Sequence, residues 1–434
     1  MRRNLCVVLL LGTAFFFVFS AFNSQGFIEI AVLRALANST ESAGITANSG
    51  YNSLSIIYGV FTVSNLVAPA ILGFIGPKWS MVLGGAMYGL FMLCMTRITA
   101  VLLYFSSAAL GFGAAVLWTG NGVYLTNISG PRNMQRNSGL MWAMLQASLI
   151  AGAVFLYVAL GAADLASSAF SIYCTFFGVV CLGILLLVFL PSNPHIALDT
   201  PEGATPPSEL EAVGSGEQPA AAAEVLIRGS EPTFWQTLVE PFKLLLTQRM
   251  LLLALVFIYT GMELTFYSGV YSSGLVFGMF ASSIFGHLPR NAVILLACLL
   301  HAIAFFAAFL FIPANASYTM AMAVAFLLGL ADSCWITQIY SLIPAAYRDS
   351  PASAFALFKF FQSLAASVSF YYSSLLIVQW QLVLLICGLF VATLSFFRIQ
   401  FTIDMEEREA RLEAVVGTEN VSYSDRPQQI RASS

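Results

Sequence analysis

Three charged residues stand inside stretches of the sequence that are otherwise apolar: Glu263, Asp332 and Lys359. If these stretches cross a membrane, a lone charge at the bilayer centre costs at least about 2.5–3.5 kcal/mol. Each charge is therefore expected to face the interior of a helix bundle or a water-filled cavity. Two acids and one base suggest an ion pair, with one carboxylate left over that could titrate.

These charges allow two interpretations. In the first, the spare acid is a proton-coupling site and Lys359 contacts a substrate or a gate. In the second, the charges form a structural ion pair that positions the seventh, tenth and eleventh predicted helices. Further polar residues could line the same central cavity, or could form ordinary interhelical hydrogen bonds worth about 0.6 kcal/mol each: Trp118, Asn121, Gln146, Gln338 and Gln362.

The composition determines which elements must position these side chains. The 434 residues are 59% hydrophobic and only 9% charged, whereas a soluble domain is roughly 45–50% apolar and about 25% charged. The sequence therefore predicts an all-α polytopic membrane protein, and it excludes soluble enzymes and nucleic-acid binders. The seven cysteines stand in apolar stretches without metal-ligand spacing. We accordingly expect neither a metal nor a cofactor.

Twelve candidate spans emerge from the stretches that lack charge, because a helix needs about 20 mostly apolar residues to cross a bilayer. They lie at about 5–27, 52–75, 79–97, 100–122, 139–160, 168–190, 250–270, 274–288, 292–312, 319–342, 353–376 and 381–401. These spans predict an N-terminal six-helix bundle (1–190), a C-terminal bundle (249–401) and a cytoplasmic tail (402–434). Residues 191–248 hold eight of the sixteen prolines, which is typical of a disordered cytoplasmic linker.

The basic residues predict the orientation of these spans. With the N-terminus in the cytoplasm, fifteen of the eighteen Lys and Arg residues lie on the cytoplasmic side, so both termini are expected there. Arg2 and Arg3 before an apolar run also resemble a signal peptide, but no cleavage site stands out, and we expect an uncleaved first span. Glu29 and Arg34 are expected to be solvated at the outer edge. Asn38, in the first outer loop, is the good glycosylation acceptor.

Motifs in the fourth and fifth predicted spans carry a family resemblance. The fourth reads Trp-Thr-Gly-Asn-Gly over residues 118–122, and the loop after it ends in Arg-Asn-Ser-Gly over residues 136–139. Together with Ser64-Asn65 and Gly76-Pro77, these motifs resemble the UNC-93-like branch of the major facilitator superfamily. Its members share a Trp-Thr-x-x-Gly signature in this helix, usually with alanine and glutamine where this chain has Gly120 and Asn121.

Motifs of the second half are similar to one subgroup of that family. They lie at residues 259–271, 326–338 and 354–363, which contain the three charges named above. Between Tyr271 and Arg290 the relatives carry a full loop and a full helix. Here a helix at 274–288 spans roughly 22 Å, short of the roughly 30 Å hydrocarbon core. We therefore expect a truncated eighth helix and 11–12 spans.

The resemblance implies two six-helix bundles that enclose a site near the membrane midplane. It also implies a non-enzymatic role, either as a regulator or trafficking partner of a membrane channel or receptor, or as an orphan carrier of an unknown small solute. The alternative is a proton-coupled secondary transporter that uses Glu263, Asp332 and Lys359. The sequence contains no catalytic or nucleotide-binding motif.

Overall fold

The computed structural model describes residues 2–37, 43–160, 165–192, 234–270, 288–311, 318–373 and 376–424. These residues form eleven helices and, within those ranges, no strand, so the predicted all-α class is confirmed. The helices are α1 (Arg2–Ala37), α2 (Ser49–Ser64), α3 (Ala68–Cys94), α4 (Ala100–Leu160), α5 (Leu165–Val188), α6 (Phe234–Leu245), α7 (Gln248–Val270), α8 (Arg290–Phe311), α9 (Tyr318–Ala346), α10 (Pro351–Ser373) and α11 (Val378–Ser424). The predicted eighth span and Asn38 lie outside the described residues, apart from residue 288.

Eight helical segments of the described chain are long and apolar enough to cross a membrane, or nine if the bent pair α6–α7 counts as one span. Helix α4 supplies two of them, because its backbone breaks at Gly130. The φ of that residue is 62°, a conformation that glycine adopts without a steric penalty. Helix α10 is more polar than these spans, yet the side chains from Ala354 to Phe358 are fully buried.

The helices pack as two halves. In the first half, α1 contacts α4 and α5, and α3 also packs on α4 and α5. In the second half, α7 packs against α10 and α11, and α8 packs against α9 and α11. The halves meet where α4 contacts α9 and α10, and where α2 contacts α10. A hydrogen bond of 2.9 Å joins the hydroxyls of Thr62 and Ser363 across this boundary.

Glycine permits the closest approach between the halves. A Cβ atom on Gly122 of α4 would lie 2.5 Å from the ring of Phe355 on α10. Real Cβ contacts of that length do not occur, so α4 can touch α10 here only because the side chain is absent. The same signature motif that indicates the family therefore also brings the halves together.

Helix α6 occupies the end of the stretch whose composition predicts a disordered linker. It bends by 78° from α7 and packs against α3 of the first half and α10 of the second. Glu240 accepts a hydrogen bond of 2.8 Å from the Ser353 hydroxyl. Phe234, Trp235 and Phe242 are exposed, and such an aromatic face is typical of a helix that lies in the membrane interface.

We expect Gly261→Ala to destabilise the second half. A Cβ atom at this position would lie 2.3 Å from the backbone oxygen of Gln362 and 2.9 Å from the Cβ of Ala365. Overpacking of this kind costs about 1–3 kcal/mol, so the melting temperature in detergent should fall. Gly59→Ala is the matched control, because no heavy atom lies within 4 Å of its added Cβ. Equal melting temperatures for the two variants would contradict the packing described here.

Candidate functional site

Lys359 lies in a cage of polar and aromatic side chains between the two halves. Its Nζ donates a hydrogen bond of 2.8 Å to the Gln362 side chain. The same atom lies 4.6 Å from the ring centroid of Trp118, 5.6 Å from that of Trp142 and 4.5 Å from that of Phe358. Cation–π contacts at these distances are worth about 2 kcal/mol or more each when desolvated. The first half thus supplies two indole rings to a lysine of the second half.

Several buried polar atoms around this cage lack a hydrogen-bond partner among the described residues. Both amide atoms of Gln338 and the Trp142 Nε1 are in this condition, while the Asn121 amide and the Tyr340 hydroxyl have only each other as hydrogen-bonding neighbours among the side chains that the structure describes. Gln338, Asn121 and Tyr340 are completely buried. Buried polar groups are nearly always hydrogen-bonded in proteins, so these atoms mark a place for a ligand or for water. We call Lys359, Gln362 and these side chains, with Trp118, the central site.

A second polar cluster lies within the second half. Glu263 and His301 are fully buried, and the carboxylate oxygen Oε1 lies 2.5 Å from the imidazole Nε2. The other ring nitrogen, Nδ1, is 2.9 Å from the Tyr259 hydroxyl, and the ring of Phe305 stacks on the imidazole at 5.3 Å. This geometry allows a proton to be shared along the chain from tyrosine through histidine to glutamate.

Asp332 links the two clusters electrostatically. It is buried, and its charge acts on both Lys359 and His301. On the side of Lys359, the Gln362 Nε2 donates a hydrogen bond of 3.2 Å to the hydroxyl of Thr260, which in turn donates to the backbone carbonyl of Phe257.

The structure separates two groups of the residues proposed from the sequence. It brings Lys359 into direct contact with Gln362 and Trp118, and it buries Asn121 and Gln338 completely. It places Glu263 with His301, a residue that the sequence analysis missed. The sequence does contain a signal for this residue, because His301 is a lone histidine in an apolar span. It contacts the face of α7 that carries Tyr259 and Glu263. Gln146 is buried one turn after Trp142 on α4.

The expectation that Glu29 is solvated is wrong. Helix α1 continues to Ala37, beyond the predicted end of the first span near residue 27, so Glu29 remains inside the bundle with only 1% of its surface exposed. Gln25 donates a hydrogen bond of 2.7 Å to its carboxylate. Arg34, in contrast, is exposed and contacts the Tyr51 hydroxyl at 3.5 Å.

A cavity of about 410 Å³ lies between the halves, beyond the central site. Thr126 and Gly130 of α4 line one side, and Ser341 of α9 with Arg290 and Arg348 lines the other. We call this end of the bundle, which also carries Arg249 and Arg398, the basic end. The extension of α11 closes over it through two ion pairs, Arg249–Glu406 and Arg348–Glu407.

The described side chains hold no group of three or more His, Cys, Asp or Glu residues that is arranged to bind a metal ion. The chemistry of the central site is that of hydrogen bonding, one positive charge and aromatic surfaces. Such a site suits a small polar molecule.

Solved structures with the same helix arrangement define the class. The proton:xylose symporter XylE matches with a TM-score of 0.61 at 12% identity, over 91% of this chain and 94% of that one. The transporter FucP, in its outward conformation, matches with a TM-score of 0.58 at 13% identity, over 91% and 98%. This chain is therefore an integral, multi-pass membrane protein with the major facilitator fold, as predicted.

Sequence comparison identifies the family. The family described as "Ion channel regulatory protein UNC-93" matches residues 41–284 and 272–397, and the chain belongs to it. UNC93-like protein MFSD11 of Xenopus laevis is 34% identical over 447 residues, which cover 92% of this chain and 96% of that protein. Protein unc-93 homolog A of Bos taurus is 26% identical over 484 residues, which cover 94% and 95%. The resemblance read from the motifs is confirmed, down to the subgroup indicated by the second half.

Proposed function

We propose that this protein is an orphan solute carrier that binds a small polar solute at the central site. The observation that carries the proposal is the Gln338 side chain, which is completely buried with neither amide atom satisfied among the described residues. An unsatisfied buried polar group costs about 1–3 kcal/mol. A solute that restores these hydrogen bonds would recover that energy and so bind specifically.

The contacts of Lys359 support a site that opens by movement of the halves. Lys359 and Gln362 belong to the second half, while Trp118, Asn121 and Trp142 belong to the first. Separation of the halves on one side would break the contacts between Lys359 and the indoles and admit the solute. The cavity of about 410 Å³ at the basic end is lined by residues of both halves, so the same movement would change its shape.

Glu263 and His301 supply the coupling in this proposal. Their buried contact of 2.5 Å can hold a proton, and the charge of Asp332 acts on both His301 and Lys359. Gain or loss of that proton changes the charge near Lys359 and, with it, the affinity of the central site. Transport by this mechanism is non-enzymatic.

Purified protein in detergent provides the test. A set of small amino acids, sugars, carboxylates and nucleosides is screened for thermal stabilisation, because a ligand that binds only the folded state raises its melting temperature. We expect at least one of them to stabilise the wild-type protein and to lose about tenfold or more in affinity with Gln338→Leu. A Ser373→Ala variant, at the far end of α10, should keep the wild-type affinity. No stabilisation by any solute, or equal affinity of Gln338→Leu, would contradict the proposal.

A second candidate function is regulation of another membrane protein, such as a channel or receptor. The family description, which names ion channel regulation, favours it. Stable co-purification with a channel from native membranes, combined with no solute response, would favour this function over the carrier.

We infer that the basic end faces the cytoplasm, because basic residues concentrate on the cytoplasmic side of membrane proteins. Both termini then lie in the cytoplasm, and Asn38 lies outside, where it is accessible to glycosylation. The bundles 1–190 and 249–401, joined by the linker 191–248, are the two moving bodies of the proposed carrier.

A further inference from the structure

Glu29 is the centre of a buried cluster in the first half, distinct from the central site. Its carboxylate oxygen Oε1 has no hydrogen-bond partner among the described residues, and neither has the Oε1 of Gln25 nor the hydroxyl of Tyr173. All three side chains are at most 1% exposed. The cluster thus contains three unsatisfied polar oxygens in the interior of the bundle.

Two hydroxyls complete the cluster. The Ser53 hydroxyl of α2 lies within hydrogen-bonding reach of the Glu29 carboxylate and 2.9 Å from the hydroxyl of Ser107 on α4. The charge of Glu29 also acts on Tyr173 of α5. Helices α1, α2, α4 and α5 of the first half therefore each carry an oxygen in this region of the bundle.

The Glu29 carboxylate has no basic partner in the described part of the chain. The ion pairs found there involve other acids, and Arg34, on the same helix, points to Tyr51 at the surface. A buried carboxylate without a counter-ion is costly, so it must be neutralised by a proton or by a bound cation.

We propose that Glu29, Gln25, Ser53, Ser107 and Tyr173 form a binding site for one monovalent metal cation, Na⁺. The donors are all oxygen atoms, which hard cations prefer. The cluster carries a single negative charge, which one Na⁺ neutralises, whereas Ca²⁺ sites usually contain several carboxylates. The unsatisfied oxygens of Gln25 and Glu29 are the ones that a cation would coordinate.

The site differs from the proposed carrier mechanism in place and in chemistry. It lies within one half and uses none of the residues of the central site or of the Glu263–His301 pair. Binding would join α1 and α2 to α4 and α5, and so stabilise the first half as a rigid body. Sodium dependence and solute binding can consequently be tested separately, and either can fail alone.

The test measures the full-length protein in detergent at fixed pH and ionic strength. Its melting temperature is followed as NaCl replaces choline chloride, with KCl as a second series. We expect the melting temperature to rise with Na⁺ until it saturates, and not to rise with choline. The same rise should need at least about tenfold more K⁺ than Na⁺. Glu29→Gln should abolish the response, whereas Glu409→Gln, which removes an exposed carboxylate of α11, should keep it.

Binding of radioactive ²²Na⁺ to the wild-type protein gives a second measurement that does not depend on the folding of a variant. One ion per chain, displaced by excess unlabelled NaCl, is expected. Ser107→Ala should weaken this binding severalfold without abolishing it, because one neutral donor is lost. The same melting temperature in all three salts, an equal effect of Na⁺ and K⁺, or the absence of ²²Na⁺ binding would each overturn the proposal. A response to pH alone would identify the Glu29 cluster as a proton site instead.

Discussion

Reversal of Lys359 to glutamate is expected to abolish solute binding and to reduce the yield of folded protein strongly. The new carboxylate would face the negative faces of Trp118 and Trp142, where the ammonium now makes favourable contacts. It would also stand within the electrostatic influence of Asp332. Loss of two desolvated cation–π contacts, at about 2 kcal/mol each, corresponds to a change of more than about 100-fold in an equilibrium constant. Fluorescence-detected size-exclusion chromatography and the solute-binding assay measure the two effects.

Two further variants separate folding from binding at Lys359. Lys359→Met keeps an unbranched side chain of similar length, so we expect folded protein that does not bind solute. The exchange Asp332→Lys with Lys359→Glu keeps two opposite charges that act on each other, and we expect it to recover part of the folded protein but not binding. Recovery of both would show that the charges are structural, and would contradict a role for Lys359 in solute recognition.

His301→Leu is expected to destabilise the protein by about 1–3 kcal/mol, because it leaves the buried carboxyl of Glu263 without its partner. The melting temperature in detergent should fall by several degrees. The double variant Glu263→Leu with His301→Leu should recover most of this loss, since replacing both partners by apolar groups is often close to neutral. Tyr259→Phe, which removes only the hydroxyl at Nδ1, serves as the mild comparison.

The same set of variants tests the coupling. If Glu263 and His301 hold the coupled proton, the double variant should be stable, should still bind solute, and should lose the pH dependence of that binding. Additive effects of the two single substitutions on stability would instead contradict a direct interaction between these side chains.

The sequence was sufficient for the fold class and the family, but only in part for the site. Hydropathy and the Trp-Thr-x-x-Gly motif depend only on the local sequence, and the fold class and family that they predict are confirmed. The interactions of Glu263, Asp332 and Lys359 depend on helix rotation and on contacts between distant spans, which the spacing of residues does not contain. Pairing among these three residues was the natural expectation. The neutral partners Gln362 and His301, which charge counting ignores, make the direct contacts with Lys359 and Glu263.

The other differences between the predictions from the sequence and the structure concern where helices begin and end. A charge-free stretch ends at Glu29 and so places this residue at the outer edge, whereas α1 continues to Ala37 and keeps Glu29 inside the bundle. Similarly, the proline content of residues 191–248 indicates an irregular chain. The proline content gives no indication of the amphipathic helix α6, in which Phe234, Trp235 and Phe242 form an exposed apolar face. A search for helical periodicity within that stretch would have found this helix.

The exposed aromatic face of α6 is typical of a helix in the membrane interface, and such a position would make the protein sensitive to the packing of the lipid leaflet. Helix α6 rests on α3 and α10, one from each half, so it acts as a strap across their junction. If the halves move relative to each other, the aromatic face of α6 must move within the headgroup layer or leave it. The work of that displacement depends on lipid packing and curvature. Membrane composition would thus contribute to the energy difference between the two forms of the proposed carrier that open to opposite sides of the membrane.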